Sequence, residues 1–267
     1  MPLLRYILPL PHSLVQILGS VQAKAGMCKD NTVTLLQCSG DRPGKRYRPA
    51  MTIVGNVLAL HGGFVLNREE MDVSLFLLNF VSRKWSRITV HGDTPGCICE
   101  HSMVAVGATI YIYGGLKFGN EHWHQNSDLW AFNLNTLRTK PTWELVEPCS
   151  GERPSFKWDS GILVPYRKGL LLIISCFEFL TKNPPPEHNL GTFVWTFDLK
   201  SKCWSALGCI VGDGPLQPRQ LAPAVVVFDD VVYAVGDYTP GLDKRIVKYS
   251  VFAFNISGMS AAKFHCT

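Results

Sequence analysis

The sequence predicts an all-β fold of about four similar units, and three observations support this. Short apolar runs rich in β-branched and aromatic residues are bounded by Gly, Asn and Asp, as is typical of strands. The same succession of runs returns four times along the chain, and each complete unit holds four runs. A helical period extends only over Leu14–Val21. Four-stranded antiparallel sheets repeated around an axis form a β-propeller, so we expect this fold.

Each unit begins with an acidic residue followed by a proline. The four copies are Asp41-Arg42-Pro43, Asp93-Thr94-Pro95, Glu152-Arg153-Pro154 and Asp213-Gly214-Pro215. A pair of apolar runs follows, and in three units a two-residue turn predicts a tight hairpin. These hairpins are Ala50–Val54 with Val57–His61, Ser102–Val106 with Thr109–Tyr113, and Ala224–Phe228 with Val231–Val235. In the third unit a longer loop, Pro165–Gly169, is expected at this place.

The second half of each unit supplies two more strands. The third strands are predicted at Val73–Asn79, Asp128–Asn133, Phe193–Asp198 and Lys248–Phe254. The fourth strands begin at Trp85, Trp143 and Trp204, which are spaced by 58 and 61 residues. Tryptophan offers a large apolar area, so we expect these side chains to pack between neighbouring sheets.

The second unit carries the fullest motif. His101-Ser102 precedes its first strand, Tyr113-Gly114-Gly115 ends its second, Asp128-Leu129-Trp130 opens its third, and Trp143-Glu144-Leu145 forms its fourth. This pattern resembles the kelch repeat, and the other units keep parts of it in register. The resemblance implies a kelch-type β-propeller, a family whose rings usually have five to seven blades.

The domain boundaries follow from the repeat. Residues 1–31 form an N-terminal segment without a clear repeat, residues 32–256 hold the propeller blades, and residues 257–267 form a C-terminal tail. Residues Thr32–Cys38 could supply the missing fourth strand and close a four-bladed ring by pairing with Lys248–Phe254. They could instead be the remnant of an earlier blade in an incomplete ring. The strong curvature of a four-bladed ring favours the incomplete ring.

The composition argues against two classes of partner, nucleic acids and membranes. The net charge of +5 and the isoelectric point near 8.7 are mildly basic, and nucleic-acid binders usually carry a denser charge pattern. No run approaches the ~20 apolar residues of a membrane span. The nine cysteines show no regular spacing, so we expect mostly reduced, buried thiols in an intracellular, cytoplasmic or nuclear protein. The sequence thus predicts neither a nucleic-acid nor a membrane partner.

The loops between strands two and three, and those between blades, are expected on one face of the propeller. Aromatic and arginine side chains, which dominate binding hot spots, recur in these loops. The predicted partner-binding residues are Arg46, Arg48, Phe118, Trp123, Arg153, Phe179, Arg219 and Tyr238. We expect this face to bind another protein, with an acidic segment as the preferred ligand. The resemblance implies a scaffold or adaptor.

Two sequences look like metal sites. His122-Trp123-His124 needs a further ligand, for which His188 is a candidate, and Cys97-Ile98-Cys99 precedes His101. His101 is the ordinary His-Ser position of the repeat, so no metal, cofactor or catalytic residue is predicted. Phosphate-binding, nucleophile-elbow and zinc-protease motifs do not occur in the sequence. The alternatives are a galactose-oxidase-like copper enzyme, for which the chain is short, and a metal-assisted specifier protein; both families also use kelch blades.

Overall fold

The computed structural model describes residues 36–65, 72–119, 122–149, 154, 161–175, 191–211, 224–237 and 249–257. Within these ranges almost every regular element is a strand, which confirms the all-β prediction. The one helix among them is a short 3-10 turn at Leu134–Arg138, and no helix there is long and apolar enough to cross a membrane.

Blade 1 is an antiparallel meander of four strands, and the first of these four in the chain is the innermost. The strands in this part of the chain are β1 Ser39–Gly40, β2 Arg46–Tyr47, β3 Ala50–Val54, β4 Val57–His61, β5 Phe64–Val65, β6 Leu75–Asn79 and β7 Lys84–Ile88. The sheet order is β3-β4-β6-β7, with β1 added in parallel outside β7. Strands β2 and β5 pair separately as a two-stranded ribbon. The predicted hairpin β3–β4 has the expected bounds.

Blade 2 repeats this order. Its part of the chain supplies β8 Ile98–Cys99, β9 Ser102–Val106, β10 Thr109–Tyr113, β11 Leu116–Gly119, β12 His122–Gln125, β13 Leu129–Asn133 and β14 Trp143–Leu145. The four blade strands are β9-β10-β13-β14. The remaining three strands form a second ribbon, β8-β11-β12, in which β11 and β12 lie in the connection between the second and third blade strands.

Blades 3 and 4 continue the meander. Their strands are β15 Gly161–Tyr166, β16 Gly169–Ser175, β17 Gly191–Asp198, β18 Cys203–Val211, β19 Ala224–Phe228, β20 Val231–Asp237 and β21 Tyr249–Asn255. The longer loop expected in blade 3 is wrong, because Arg167 and Lys168 form a two-residue turn between β15 and β16. Arg167 has φ 51°, a left-handed conformation that Gly or Asn more often signals in a sequence.

Three apolar cores lie between successive blades, because alternate residues of each strand face opposite sides of its sheet. Ile110 and Ile112 face blade 1, whereas Tyr113 of the same strand packs in the core with blade 3. The tryptophans that reach these cores are Trp130, Trp143, Trp195 and Trp204. The first strands of neighbouring blades also contact one another, in the order β3, β9, β15 and β19. The expected packing between sheets is therefore confirmed for Trp143 and Trp204, whereas Trp85 packs against Leu58 and Leu78 within blade 1.

A backbone hydrogen bond links each incoming segment to the outer strand of the blade that it enters. The amides of Ser39, His91 and Cys149 donate to carbonyls that lie two residues before Trp85, Trp143 and Trp204. The donor–acceptor pairs are Ser39 with Arg83 at 3.0 Å, His91 with Pro141 at 2.9 Å, and Cys149 with Lys202 at 2.9 Å. We call these three contacts the blade latches.

The ring-closure alternatives remain predictions. Of the proposed closing segment, residues 32–35 lie outside the described residues, and residues 36–38 are not in a strand. His91 and Cys149 each follow a blade tryptophan by six residues, and the residue six before Ser39 is Val33, which lies at the start of the predicted strand.

Candidate functional site

Two ribbons cover the described part of one propeller face. In the first ribbon, Tyr47 of β2 pairs with Phe64 of β5. In the second, Cys99 of β8 pairs with Leu116 of β11. Each pairing joins a segment that enters a blade to a connection between second and third strands, so both kinds of connection emerge on the same face, as the sequence predicts.

Aromatic side chains connect the two ribbons. The ring of Trp123 lies 5.2 Å from that of Phe118, its neighbour across the β11–β12 pair, and 5.8 Å from that of Phe64. Phe64 is 41% exposed and Tyr47 is 43% exposed, whereas Phe118 and Trp123 are half-buried. A cluster of large rings that the described residues leave partly exposed is an apolar surface area, which is typical of binding surfaces.

Arg48 adds charge beside these rings. Its guanidinium lies 5.1 Å from the centre of the Tyr47 ring and forms an ion pair with Glu100. The Arg48 side chain is 45% exposed, so solvent weakens this ion pair and the cation stays accessible. We call Tyr47, Arg48, Phe64, Phe118 and Trp123 the ribbon face.

Sequence reasoning found three members of the ribbon face and missed two. Arg48, Phe118 and Trp123 were predicted, and the structure brings them to the same side of the molecule. Tyr47 and Phe64 were missed because each belongs to a two-residue strand, which has no readable period. Aromatic residues next to predicted loops were the available signal.

Arg46 occupies a different environment from Arg48. Its side chain is only 4% exposed, and it donates to the carboxylate of Asp72 at 3.0 Å and to the carbonyl of Gly62 at 3.1 Å. Its guanidinium also lies 4.9 Å from the centre of the Phe76 ring. Its charge and its donors have partners within the chain, and its contact with a binding partner stays a prediction.

The other predicted binding residues are Arg153, Phe179, Arg219 and Tyr238, and they lie outside the described residues. Their participation in a site stays a prediction.

A buried histidine pair lies between blades 1 and 2. Nδ1 of His61 is 3.4 Å from Nε2 of His101, and the His61 ring contacts Trp143 edge-on at 5.3 Å. Burial lowers the pKa of His61 to about 4, with a further contribution from the Arg46 charge. Burial also lowers the pKa of His101 well below its usual range. Both rings are therefore neutral at pH 7.

The two suspected metal motifs do not assemble a site. Cys97 and Cys99 are buried, and burial raises the pKa of both thiols. His101, the third member of that motif, faces His61 instead. Among the described residues no three His, Cys, Asp or Glu side chains are grouped to hold a metal. His188, the further candidate for the His122 and His124 motif, lies outside them.

Cys149 and Cys203 form a disulfide across 54 residues of sequence, which is an exception to the mostly reduced cysteines expected. Two cysteines that distant, in a set with no regular spacing, cannot be paired from sequence alone.

A family model described as the KLHDC2/KLHL20/DRC7 Kelch-repeats domain matches residues 26–238 of this chain. Tip elongation aberrant protein 1 of Schizosaccharomyces pombe is 29% identical over 46% of this chain and 10% of its own length. The Rab9 effector protein with kelch motifs of Mus musculus is 29% identical over 40% of this chain and 30% of its own length. The N-(sulfonatooxy)prop-2-enimidothioate sulfolyase of Thlaspi arvense is 31% identical over 30% of this chain and 23% of its own length. The matched part of this chain thus spans less than a third of each of these relatives.

Proposed function

Since the chain belongs to the kelch-repeat domain family, we propose that it is a protein-interaction module that binds another protein through the ribbon face. Membership in this family also confirms the kelch-type propeller predicted from the sequence. The observation that supports the binding face best is the contact of Trp123 with both Phe118 and Phe64, which gathers three aromatic rings at the surface.

The chemistry of the ribbon face suits a protein partner. Binding hot spots at protein interfaces are enriched in aromatic and arginine side chains. Aromatic rings bury a large area at a small cost in conformational entropy, and arginine offers several hydrogen-bond donors and a charge. Tyr47 and Phe64 are exposed enough to be covered, while Phe118 and Trp123 are already held by their neighbours. A preformed surface loses less entropy on binding than a mobile one.

Strand pairing within the second ribbon also holds the backbone of the ribbon face in place. Trp123 lies on β12, which pairs with β11, and β11 in turn pairs with β8. The backbone that carries the rings is thus hydrogen-bonded to the segment that enters blade 2. A firm scaffold under exposed side chains is the usual arrangement of loop-based binding sites.

An acidic segment is the partner chemistry that we propose. Arg48 is half-exposed and Lys117 lies on β11, so both contribute positive charge to this part of the molecule. Glu100 offsets part of the Arg48 charge. A carboxylate from the partner would compete with Glu100 for Arg48, so binding should weaken as salt screens the attraction.

The relatives support a binding role without fixing the partner. One is named as an effector of Rab9, and another is named as a lyase. The likeness to the lyase extends over only 80 residues. We therefore propose that this chain is not an enzyme.

The test is capture of binding proteins from the native cell by the full chain and by two variants. The first variant, Phe64→Ala with Trp123→Ala, removes the centre of the ribbon face. The second, Phe228→Ala, removes an aromatic side chain that is 65% exposed on blade 4. We expect the first variant alone to lose specific partners in quantitative mass spectrometry, and matched circular dichroism spectra exclude misfolding. Equal recovery of all proteins by the wild-type chain and both variants would reject the ribbon face as the binding site.

A further inference from the structure

The third blade latch differs chemically from the other two. The Cys149 amide donates to the Lys202 carbonyl at 2.9 Å, as in the latches of Ser39 and His91, but here a disulfide to Cys203 reinforces the contact. The disulfide therefore joins the segment that leaves blade 2 to the first residue of β18, the outer strand of blade 3.

Contacts around the disulfide hold the same two parts together independently of the sulfurs. Nζ of Lys202 lies 3.0 Å from a carboxylate oxygen of Glu144, which links β14 to the turn before β18. The ring of Trp204, next to Cys203, packs against Phe197 at 4.8 Å and against Tyr113 of blade 2 at 5.5 Å. The latches at Ser39 and His91 form with a hydrogen bond and no disulfide. A latch can thus form without a covalent bond.

The disulfide is also accessible to reagents. Cys149 is exposed and Cys203 is half-buried, whereas Cys97 and Cys99 are buried thiols with raised pKa values. Thiol–disulfide exchange requires that a thiolate reach one of the two sulfurs, so exposure decides which cysteines react.

We propose that Cys149 and Cys203 form a reversible redox site that strengthens or loosens the seam between blades 2 and 3, in exchange with a small thiol of the glutathione class. One thiolate attacks a sulfur of the disulfide, forms a mixed disulfide and releases the other cysteine as a thiolate, which takes up a proton. A second thiol resolves the mixed disulfide. In the balance, Cys149 and Cys203 each gain one hydrogen, and two small thiols are oxidised to one disulfide.

The reduced protein should keep its fold and become less rigid only where the Cys149 segment meets the outer strand of blade 3. The hydrogen bond from the Cys149 amide, the Lys202–Glu144 ion pair and the Trp204 packing remain possible without the covalent bond. Amide hydrogen exchange at Cys149 should then accelerate by about tenfold or more, because local opening no longer has to stretch a covalent link. Exchange at His91, which occupies the same position in the neighbouring latch, serves as the internal control and should not change.

The experiment equilibrates the full chain in buffers of graded reduced and oxidised glutathione, followed by alkylation and peptide mapping. We expect Cys149 and Cys203 to become labelled together as the buffer becomes reducing, while Cys97 and Cys99 stay unlabelled and the circular dichroism spectrum is unchanged. The variant Cys203→Ser should show the reduced exchange rate at Cys149 in every buffer.

Two results would overturn the proposal. Labelling of Cys149 and Cys203 in the most oxidising buffer would mean that the disulfide does not form. Loss of the β-sheet spectrum on reduction, or in Cys203→Ser, would mean that the bond is a requirement of the fold and cannot act as a switch.

Discussion

Gly115→Ala is expected to destabilise the protein far more than Gly107→Ala, although both glycines have a left-handed backbone. Gly115 has φ +83°, and a Cβ built there would lie 2.4 Å from the Cys99 carbonyl oxygen and 2.7 Å from the His101 amide nitrogen. Gly107 has φ +60°, and a Cβ there would meet nothing within 4 Å. Comparing the stabilities of the two variants therefore separates the cost of backbone strain from the cost of steric overlap.

The expected losses in the free energy of unfolding follow from these two environments. A left-handed conformation costs a non-glycine residue roughly 1–2 kcal/mol, which is the whole expected effect of Gly107→Ala. Both groups that a Gly115 side chain would strike belong to the backbone, so they cannot move away by a rotamer change. Displacing them adds a cost that brings the total for Gly115→Ala to on the order of 3–5 kcal/mol.

Urea unfolding monitored by circular dichroism measures both variants. Gly115→Ala should lower the midpoint at least twice as much as Gly107→Ala. It should also accelerate amide exchange in β8 and β11, because Cys99 and Leu116 pair across that ribbon. Equal midpoints for the two variants would refute the steric overlap assigned to Gly115.

Two further predictions concern buried polar groups. The lowered pKa of His61, about 4 against 6.5 when unfolded, means that only the unfolded chain takes up this proton as pH falls below 6.5. The His61 contribution to stability should therefore be complete above pH 6.5 and fall by about 3 kcal/mol as pH drops towards 4. His101 adds to this loss because its pKa is also lowered, so His61→Leu should make this part of a urea-midpoint profile shallower without abolishing its slope. Exposed His124→Gln should keep the wild-type slope, and a flat wild-type profile would contradict the burial of the pair. Arg46→Met should cost on the order of 2–3 kcal/mol in the same assay, because Asp72 loses its buried cation and keeps only exposed Arg87 at 3.6 Å. Half-exposed Arg48→Met should cost under about 1 kcal/mol. Similar losses for both arginine variants would contradict their different environments.

The sequence predicted the blade hairpins most accurately. Gly55-Asn56 and Gly107-Ala108 fix two-residue turns locally, so the bounds of β3, β4, β9 and β10 could be predicted without tertiary information. The turn at Arg167 was missed because its left-handed backbone has no glycine or asparagine to signal it. Local residue preferences therefore explain both the success and the error.

The proposed binding face was harder to predict because it depends on long-range contacts. Phe118 and Trp123 could be chosen as aromatic loop residues, but His122–Gln125 has no alternating pattern that identifies a strand. The pairing of Arg46 with Asp72 spans 26 residues and removes this arginine from the set of accessible cations. Sequence identifies the residue types at such a face, and only the fold decides which of them share it.

The most direct test of the proposed function is an equilibrium titration of the first partner identified by capture, at two salt concentrations. If the ribbon face binds, Trp123→Ala should weaken the affinity by about ten- to a hundredfold, since loss of an aromatic hot spot costs roughly 1–3 kcal/mol, and Phe228→Ala should bind like the wild-type chain. Raising the salt concentration should weaken wild-type binding if the partner presents acidic residues. Unchanged affinity for Trp123→Ala would contradict the proposed binding face.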